Sequence, residues 1–353
     1  MTAATPKLTS YQVKEWHSPE PWEQFIKNHT NCAYYCWSFK TLINQAFGHK
    51  AHYLGVTNNT DQLVAALPLI EMKSRLFGHF ALSLPFVNYG GLISDPNHPL
   101  AVEPLLKAAE DWAASRQLEH LTLRQDQPLV NCNWALQSHK ISMIMELPDS
   151  AESLMKSFKA KLRAQVRRPS KEGATAKRGG LDLLDDFYRV FARNMRDLGT
   201  PVYGRNWFKA LLEASWLSGQ LVVIYLDKQP VAGAFLIRHG DTMEIPWASS
   251  LREFNRFSVN MLLYWESLCY SIEQGCRFFD FGRSNKDAPT YRFKKQWGSE
   301  EKQLYWYQWT PEGQDAVRLD PQNAKFVLAT KAWQKLPVPI ANLIGPSIVK
   351  NLP

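Results

Sequence analysis

Two twenty-residue stretches decide the fold, PLLKAAEDWAASRQLEHLTL at 104–123 and MLLYWESLCYSIEQGCRFFD at 261–280. In the first, Leu105, Ala108, Ala109 and Trp112 recur at helical spacing over 104–117, and HLTLR follows as a strand. In the second, Leu263, Glu266, Ser267 and Tyr270 share related faces of a helix over 260–274, and CRFFDFG follows as a strand. Upstream of each lies a hairpin. HYLGV and LVAALPLI flank the polar turn TNNTDQ, and LVVIYL and PVAGAFLIRHG flank DKQ. AALPLI at 65–70 matches AGAFLI at 232–237. A strand-like segment then leads to each helix: LFGHFALSLPFVNYGGLISD, punctuated by Pro85, Gly90 and Gly91, and TMEIPWASS. Hairpin, strand, helix, strand, twice over, predicts two related mixed α/β domains. Two unrelated α/β halves that share common elements are the alternative. Trp22–His29 and Ser38–Phe47 read as helices ahead of the first hairpin.

A chain of 353 residues outgrows a single core, and 45% hydrophobic with 12% aromatic residues fills two. The expected boundaries are 8–150 and 151–310, with 311–353 packing back on the first domain. No stretch reaches 18 uninterrupted apolar residues, and the first residues lack the basic-then-apolar order of a signal peptide. Five irregularly spaced cysteines fit a reduced, cytoplasmic protein rather than a disulfide scaffold. His29, Cys32 and Cys36 match no common zinc spacing, and His49 and His52 lack the HExxH glutamate, so no metal site is expected. GxGxxG, the Walker-type P-loop and GxSxG are absent, which removes the main support for dinucleotide, nucleotide and α/β-hydrolase chemistry.

The net charge of +8 is local. Residues 156–180 carry nine basic residues and one acid, which accounts for the whole excess. Glu152–Arg168 reads as a helix with Phe158, Leu162 and Val166 as an apolar stripe and Lys159, Arg163 and Arg167 as a basic one. Pro169 should stop it, and SKEGATAKRGG should be a mobile loop. Three readings stay open for the basic stripe: an RNA backbone, an anionic membrane or lipid-linked pyrophosphate, or a solvated face. The apolar tail KFVLATKAWQKLPVPIANLIGPSIV is broken by Pro337, Pro339 and Pro346. It reads either as a tail packed on a domain or as a segment docked on a membrane surface.

Several pieces together resemble one family: LPFVNYGGLISD, LRAQVRRPSKEG, MRDLGTPVYGRNWF, IPWASS, FDFGRSNKDAPTYRFKKQWG and LPVPIANLIGP. The chain resembles, from about residue 12 to 350, the FemAB-like proteins of the PEP-CTERM (exosortase) type, tandem acetyltransferase-fold proteins with a BioF2-like domain. The resemblance implies two GNAT (acyl-CoA N-acyltransferase-like) domains joined by the basic helix. It implies an acyl- or aminoacyltransferase that forms an amide on a saccharide or peptidoglycan-type precursor in envelope or exopolysaccharide assembly. Fem relatives take amino acids from tRNA and place them on lipid- or nucleotide-linked precursors. Other members move acyl groups to amines. The donor is then aminoacyl-tRNA or an acyl-CoA or other acyl carrier, with no resident cofactor. The partners are an anionic saccharide or a lipid- or nucleotide-linked precursor, tRNA, and the inner membrane as a peripheral surface. SSLREFNRFSVN has no glycine where acetyl-CoA-dependent members carry a Q/RxxGxG/A turn, which weighs against acetyl-CoA. A degenerate transferase that scaffolds an export complex and a basic nucleic-acid-binding protein are the rival readings.

Amide formation needs an amine that loses a proton, donors for an oxyanion and cations for an anionic carrier. Asp280, at a strand end before a glycine, is the candidate to orient or deprotonate the amine, or else a structural aspartate bonding turn amides. Tyr203, in a Pro/Gly-punctuated loop, is the second catalytic candidate. Arg283 and Ser284 follow in the turn. Tyr291, Arg292 and Lys294 precede Trp297, with Phe293 assigned to the core. Asn88 and Tyr89 lie beside paired glycines that permit close backbone approach. Trp247, Arg252 and Asn255 complete the expected substrate-binding set with Lys159, Arg163 and Arg167. Asn260 reads as a helix cap.

Overall fold

The computed structural model describes residues 10–74, 77–286, 288–315 and 324–352. The start of the expected first domain at residue 8, Asp287 of the stretch FDFGRSNKDAPTYRFKKQWG and residues 316–323 of the tail lie outside these. The described chain divides into two compact units, 10–138 with 304–315, and 139–303 with 324–352.

The first unit opens with β1 (Gln12–Glu15), α1 (Pro19–His29), α2 (Trp37–Phe47), β2 (Lys50–Thr57), β3 (Leu63–Ser74) and β4 (Gly78–Leu82). It continues with β5 (Ile93–Ser94), α3 (Val102–Ser115), β6 (His120–Gln125) and β7 (Ala135–Gln137). The second unit holds β8 (Lys140–Glu146), α4 (Ala151–Ser157), α5 (Ala160–Lys171), β9 (Thr175–Gly179), α6 (Leu184–Leu198), α7 (Arg205–Glu213) and β10 (Ser218–Leu226). It goes on through β11 (Gln229–His239), β12 (Thr242–Ser250), α8 (Val259–Glu273), β13 (Phe278–Asn285), α9 (Pro289–Lys295) and β14 (Glu300–Gln303). The chain then returns to the first sheet with β15 (Tyr305–Trp309). It ends in the second unit with α10 (Ala324–Gln334) and α11 (Val338–Val349).

The first sheet has the order β1-β2-β3-β4-β6-β15-β7, with β5 beside β3, and the second β14-β8-β13-β12-β11-β10-β9. The duplicated order read from the sequence is present in both. In the second unit, Asp227 and Lys228 at φ 50 and 63° make the tight turn of the β10–β11 hairpin. In each sheet one pair is parallel, β4–β6 in the first and β12–β13 in the second, because a helix carries the chain across between them.

Two corrections concern boundaries. β8 joins the second sheet and β15 the first, so the division near 150 and 310 moves to 138 and 303. The tail belongs to the second unit, where both of its helices pack on α6. Small residues make this fit: Ala341, Gly345 and Val349 form the buried stripe of α11, and a side chain on Gly345 would lie 2.9 Å from the Val202 nitrogen.

The basic segment is part of the second unit. It forms two helices, not one, since Phe158 is extended between α4 and α5. Ser150 caps α4 by accepting from Ser153 N at 3.1 Å. Phe158, Leu162 and Val166 enter the core as their spacing predicts. Pro169 does not stop the helix. It sits in the last turn of α5, and Glu172 and Ala174 donate to its carbonyl. The expected mobile loop is in part the edge strand β9, with Arg178 bonded to Glu266 at 2.8 Å and Glu273 at 2.6 Å.

Strand alternation gives the second sheet two packed faces. Ala232, Ala234 and Leu236 of β11 share one core with the buried residues of α8 and α5. Phe235 instead meets Phe187 of α6 and Phe208 of α7, with ring centroids 6.1 and 5.9 Å away. Trp247 stands edge-on to Phe208 at 5.2 Å, and such pairs contribute about 0.5–1.5 kcal/mol beyond area burial.

Candidate functional site

The second unit contains a fork. β12 and β13 pair in parallel only over Thr242↔Phe278, Met243↔Phe279 and Glu244↔Asp280. Beyond that point β12 runs on to Ser250 paired with β11, and β13 to Asn285 paired with β8, with no further pairing between the two arms among the described residues. In the first unit the corresponding divergence after Leu82↔Thr122 is filled by the chain itself. Ser83 Oγ donates to the Gly90 carbonyl, Arg124 N donates to Ser83 Oγ at 2.9 Å, and the Arg124 guanidinium donates to Val87 O at 3.2 Å. Leu84 and Phe86 hold φ near 72° there, a conformation costing about 1–3 kcal/mol for each such residue. Asn88 and Tyr89, both half-buried, belong to this loop of the first unit.

Asp280 sits at the base of the second unit's fork, 1% exposed. Its Oδ1 accepts from Ser142 Oγ at 2.8 Å and from Gly282 N at 2.7 Å. Register against β8 slips between Asp280 and Arg283, so β13 carries one extra residue in a bulge, with Gly282 at φ 75°. The bulge aims two carbonyls at one cation. Lys294 of α9 donates from Nζ to Gly282 O at 3.0 Å and to Arg283 O at 2.8 Å. Burial pushes its pKa down to about 8, while the negative charge of Asp280 opposes the fall. Across the parallel pair from Asp280, the fully buried Glu244 accepts from His239 Nε2 at 2.9 Å.

Around this centre lie other expected residues. Ser284, on the β13 arm, is 5% exposed and its Oγ has no hydrogen-bond partner among the described residues. A buried hydroxyl in that state can take a further polar atom as its partner. Arg283 is half-buried in the bulge. Trp247 is on the β12 arm, with Tyr203 edge-on to it at 6.1 Å. Tyr291 is directed to Glu301, donating at 2.6 Å. Phe293 packs on Tyr264 at 4.8 Å, as expected of a core residue. Arg292 and Asn255 are exposed, and Arg252 is held by the Asp197 carbonyl at 3.1 Å. Lys159 and Arg167 of the basic stripe are exposed, while Arg163 turns back to donate to the Phe158 carbonyl. Arg163, Arg167, Arg168 and Lys171 line one shallow surface of about 430 Å³ on α5.

Sequence reading missed Ser142, His239 and Glu244. Glu244 had a signal, a lone acid inside the apolar strand TMEIPWASS, where a buried charge demands a partner. Ser142 had none, because its role depends on the pairing of β8 with β13 across more than a hundred residues.

Residues 156–295 match the acetyltransferase (GNAT) domain family. No curated protein matches the chain. Among solved structures, FemX is similar at 16% identity and a TM-score of 0.62, covering 83% of this chain and 96% of that one. L-PGS from Bacillus licheniformis is similar at 13% identity and 0.53, covering 90% and 98%. A tandem GNAT protein from the clavulanic acid biosynthesis pathway is similar at 9% and 0.53, covering 87% and 100%. With its fork between parallel strands in each of two α/β units, the chain has the GNAT fold in tandem, and its residues 156–295 are similar to the acetyltransferase (GNAT) domain family.

Proposed function

We propose that the chain is an acyl- or aminoacyltransferase that joins an activated acyl group to an amine of a saccharide or peptidoglycan-type precursor. The observation that carries this is the buried ammonium of Lys294 at the bulge beside an open fork. The amine nitrogen attacks the acyl carbon, the carbonyl oxygen gains negative charge, and the bond to the donor's oxygen or sulfur breaks. The proton lost by the amine ends on that leaving atom. Lys294 has three N–H donors, of which two serve Gly282 and Arg283. The third meets the developing oxyanion, and a fixed cation in a buried site stabilises it strongly.

Asp280 then acts as the counter-charge that keeps Lys294 protonated and as the clamp that shapes the bulge. Ser284 receives a polar atom of the acyl group. Tyr203 passes the proton to the leaving atom from the α6 side, next to Trp247. The exposed cations of α5 contact the phosphates of an anionic carrier, as an aminoacyl-tRNA donor requires. The likeness to FemX and L-PGS in fold, and the Fem resemblance of the motifs, support an aminoacyl donor over acetyl-CoA. The test is donor turnover by the purified chain, with aminoacyl-tRNA and acyl-CoA offered separately to amine-bearing cell-wall precursors. Amide product in the wild type and at least about a hundredfold less with Lys294→Met, folded by circular dichroism, supports the reading. Equal product from both proteins overturns it.

A further inference from the structure

The two C-terminal helices pack the wrong way round for a soluble surface. α11 buries its small residues, Ala341 and Gly345, with Val349, and turns out Ile340, Leu343 and Ile344, which are 46, 78 and 38% exposed. α10 buries Trp333 and turns out Phe326, Val327 and Leu328, the last 70% exposed. These are not frayed ends. The Arg196 guanidinium donates to the Leu336 carbonyl at 2.7 Å, Gln334 donates to Asp197 O at 3.2 Å, and both helices rest on α6. Leu198, at the end of α6 beside this anchor, is itself 49% exposed.

The charge on the same segment is one-sided. Residues 321–353 contain Lys325, Lys331, Lys335 and Lys350 and no acid, arginine or histidine. Lys331 and Lys335 are exposed. Protruding large aliphatic groups on a segment whose own charges are all lysines fit a surface that is apolar below and anionic above. No helix among the described residues is long and apolar enough to cross a membrane, so the fit is to the interface rather than the interior.

We infer that the α10–α11 hairpin docks the protein on an anionic phospholipid bilayer, inserting Leu328, Ile340, Leu343 and Ile344 at headgroup depth. Docking there places a transferase beside lipid-carried acceptors, but the inference stands independently of the chemistry proposed above.

The experiment is flotation of the full chain with vesicles of equal parts phosphatidylglycerol and phosphatidylcholine, against vesicles of phosphatidylcholine alone. The wild type floats with the anionic vesicles and partitions about tenfold or more weakly onto the neutral ones. The double variant Leu328→Glu with Leu343→Glu loses more than about tenfold in partitioning with an unchanged melting curve, since both side chains point to solvent. Lys331→Glu with Lys335→Glu weakens binding to anionic vesicles only. Failure of the wild type to float with either vesicle overturns the inference, as does undiminished flotation of the leucine variant. A concentration-dependent dimer in lipid-free sedimentation, dissolved by the leucine variant, also overturns it and assigns the face to a second copy of the chain.

Discussion

At the scale of single residues, the protonation state of Lys294 is set by opposing neighbours. Burial lowers its pKa to about 8, Asp280 and Glu244 act upward, and Arg283 acts downward. If the cation stabilises the oxyanion, turnover falls as pH rises through about 8. Lys294→Arg removes that falling limb, because arginine stays charged. Asp280→Asn withdraws the supporting negative charge and moves the limb to lower pH. Stability has the opposite sign. The folded pKa is depressed, so the buried charge opposes folding below about pH 8, and this opposition fades as pH rises towards lysine's ordinary value. A pH–rate profile and melting curves across the same range check both signs. Ser284 gives a separate prediction. Ser284→Ala removes a hydroxyl that lacks a partner among the described residues, so the melting temperature stays level or rises, while turnover falls. A merely structural serine would show the reverse. The sequence singles out Asp280 but places it at a strand end; it is instead the third residue of β13, which runs on to Asn285, and its bond to Gly282 N spans a bulge inside the strand. Its coupling to Lys294 was not legible, because a bulge cannot be read from FFDFGRS.

At the scale of elements, the hairpins, β12 and the α3 and α8 helices followed from hydrophobic period and turn residues alone. Three features did not. β8 and β15 exchange between sheets, which local pattern cannot reveal, since KISMIME and YWYQW look alike as strands wherever they pair. α5 runs through Pro169 and ends two residues later, with Glu172 and Ala174 donating to the Pro169 carbonyl. α11 inverts the usual rule that large residues face inward, since only small ones fit against Val202. Gly345→Leu should therefore lever α11 off α6 and destabilise the second unit by about 1–3 kcal/mol, read as a lowered denaturation midpoint. Arg178→Ala should cost no more than about 1 kcal/mol despite losing two ion pairs, because both are partly solvated.

At the scale of the whole molecule, the excess charge of +8 resolves into distinct pieces. Arg178 is committed to Glu266 and Glu273, and Lys156 to Glu152, so these charges are already paired within the second unit. Lys159, Arg167 and Lys171 remain exposed along α5. Reversing these three to glutamate should leave both units folded and weaken tRNA binding. The slope of log affinity against log salt should fall by roughly 0.7–0.9 for each phosphate that is no longer neutralised. The tandem architecture was legible because the duplication repeats a hydrophobic order. The chemistry was only partly so, because it resides in contacts between distant strands.

Acyl transfer to an amine that requires Lys294 should leave its product in the cell. Its most direct test is mass spectrometry of precursor and polysaccharide pools from cells that carry the wild type, lack the gene, or carry Lys294→Met at equal protein level. One added mass, equal to the transferred acyl or aminoacyl group, is expected in the wild type and should be missing in the other two. Identical pools in all three would contradict it.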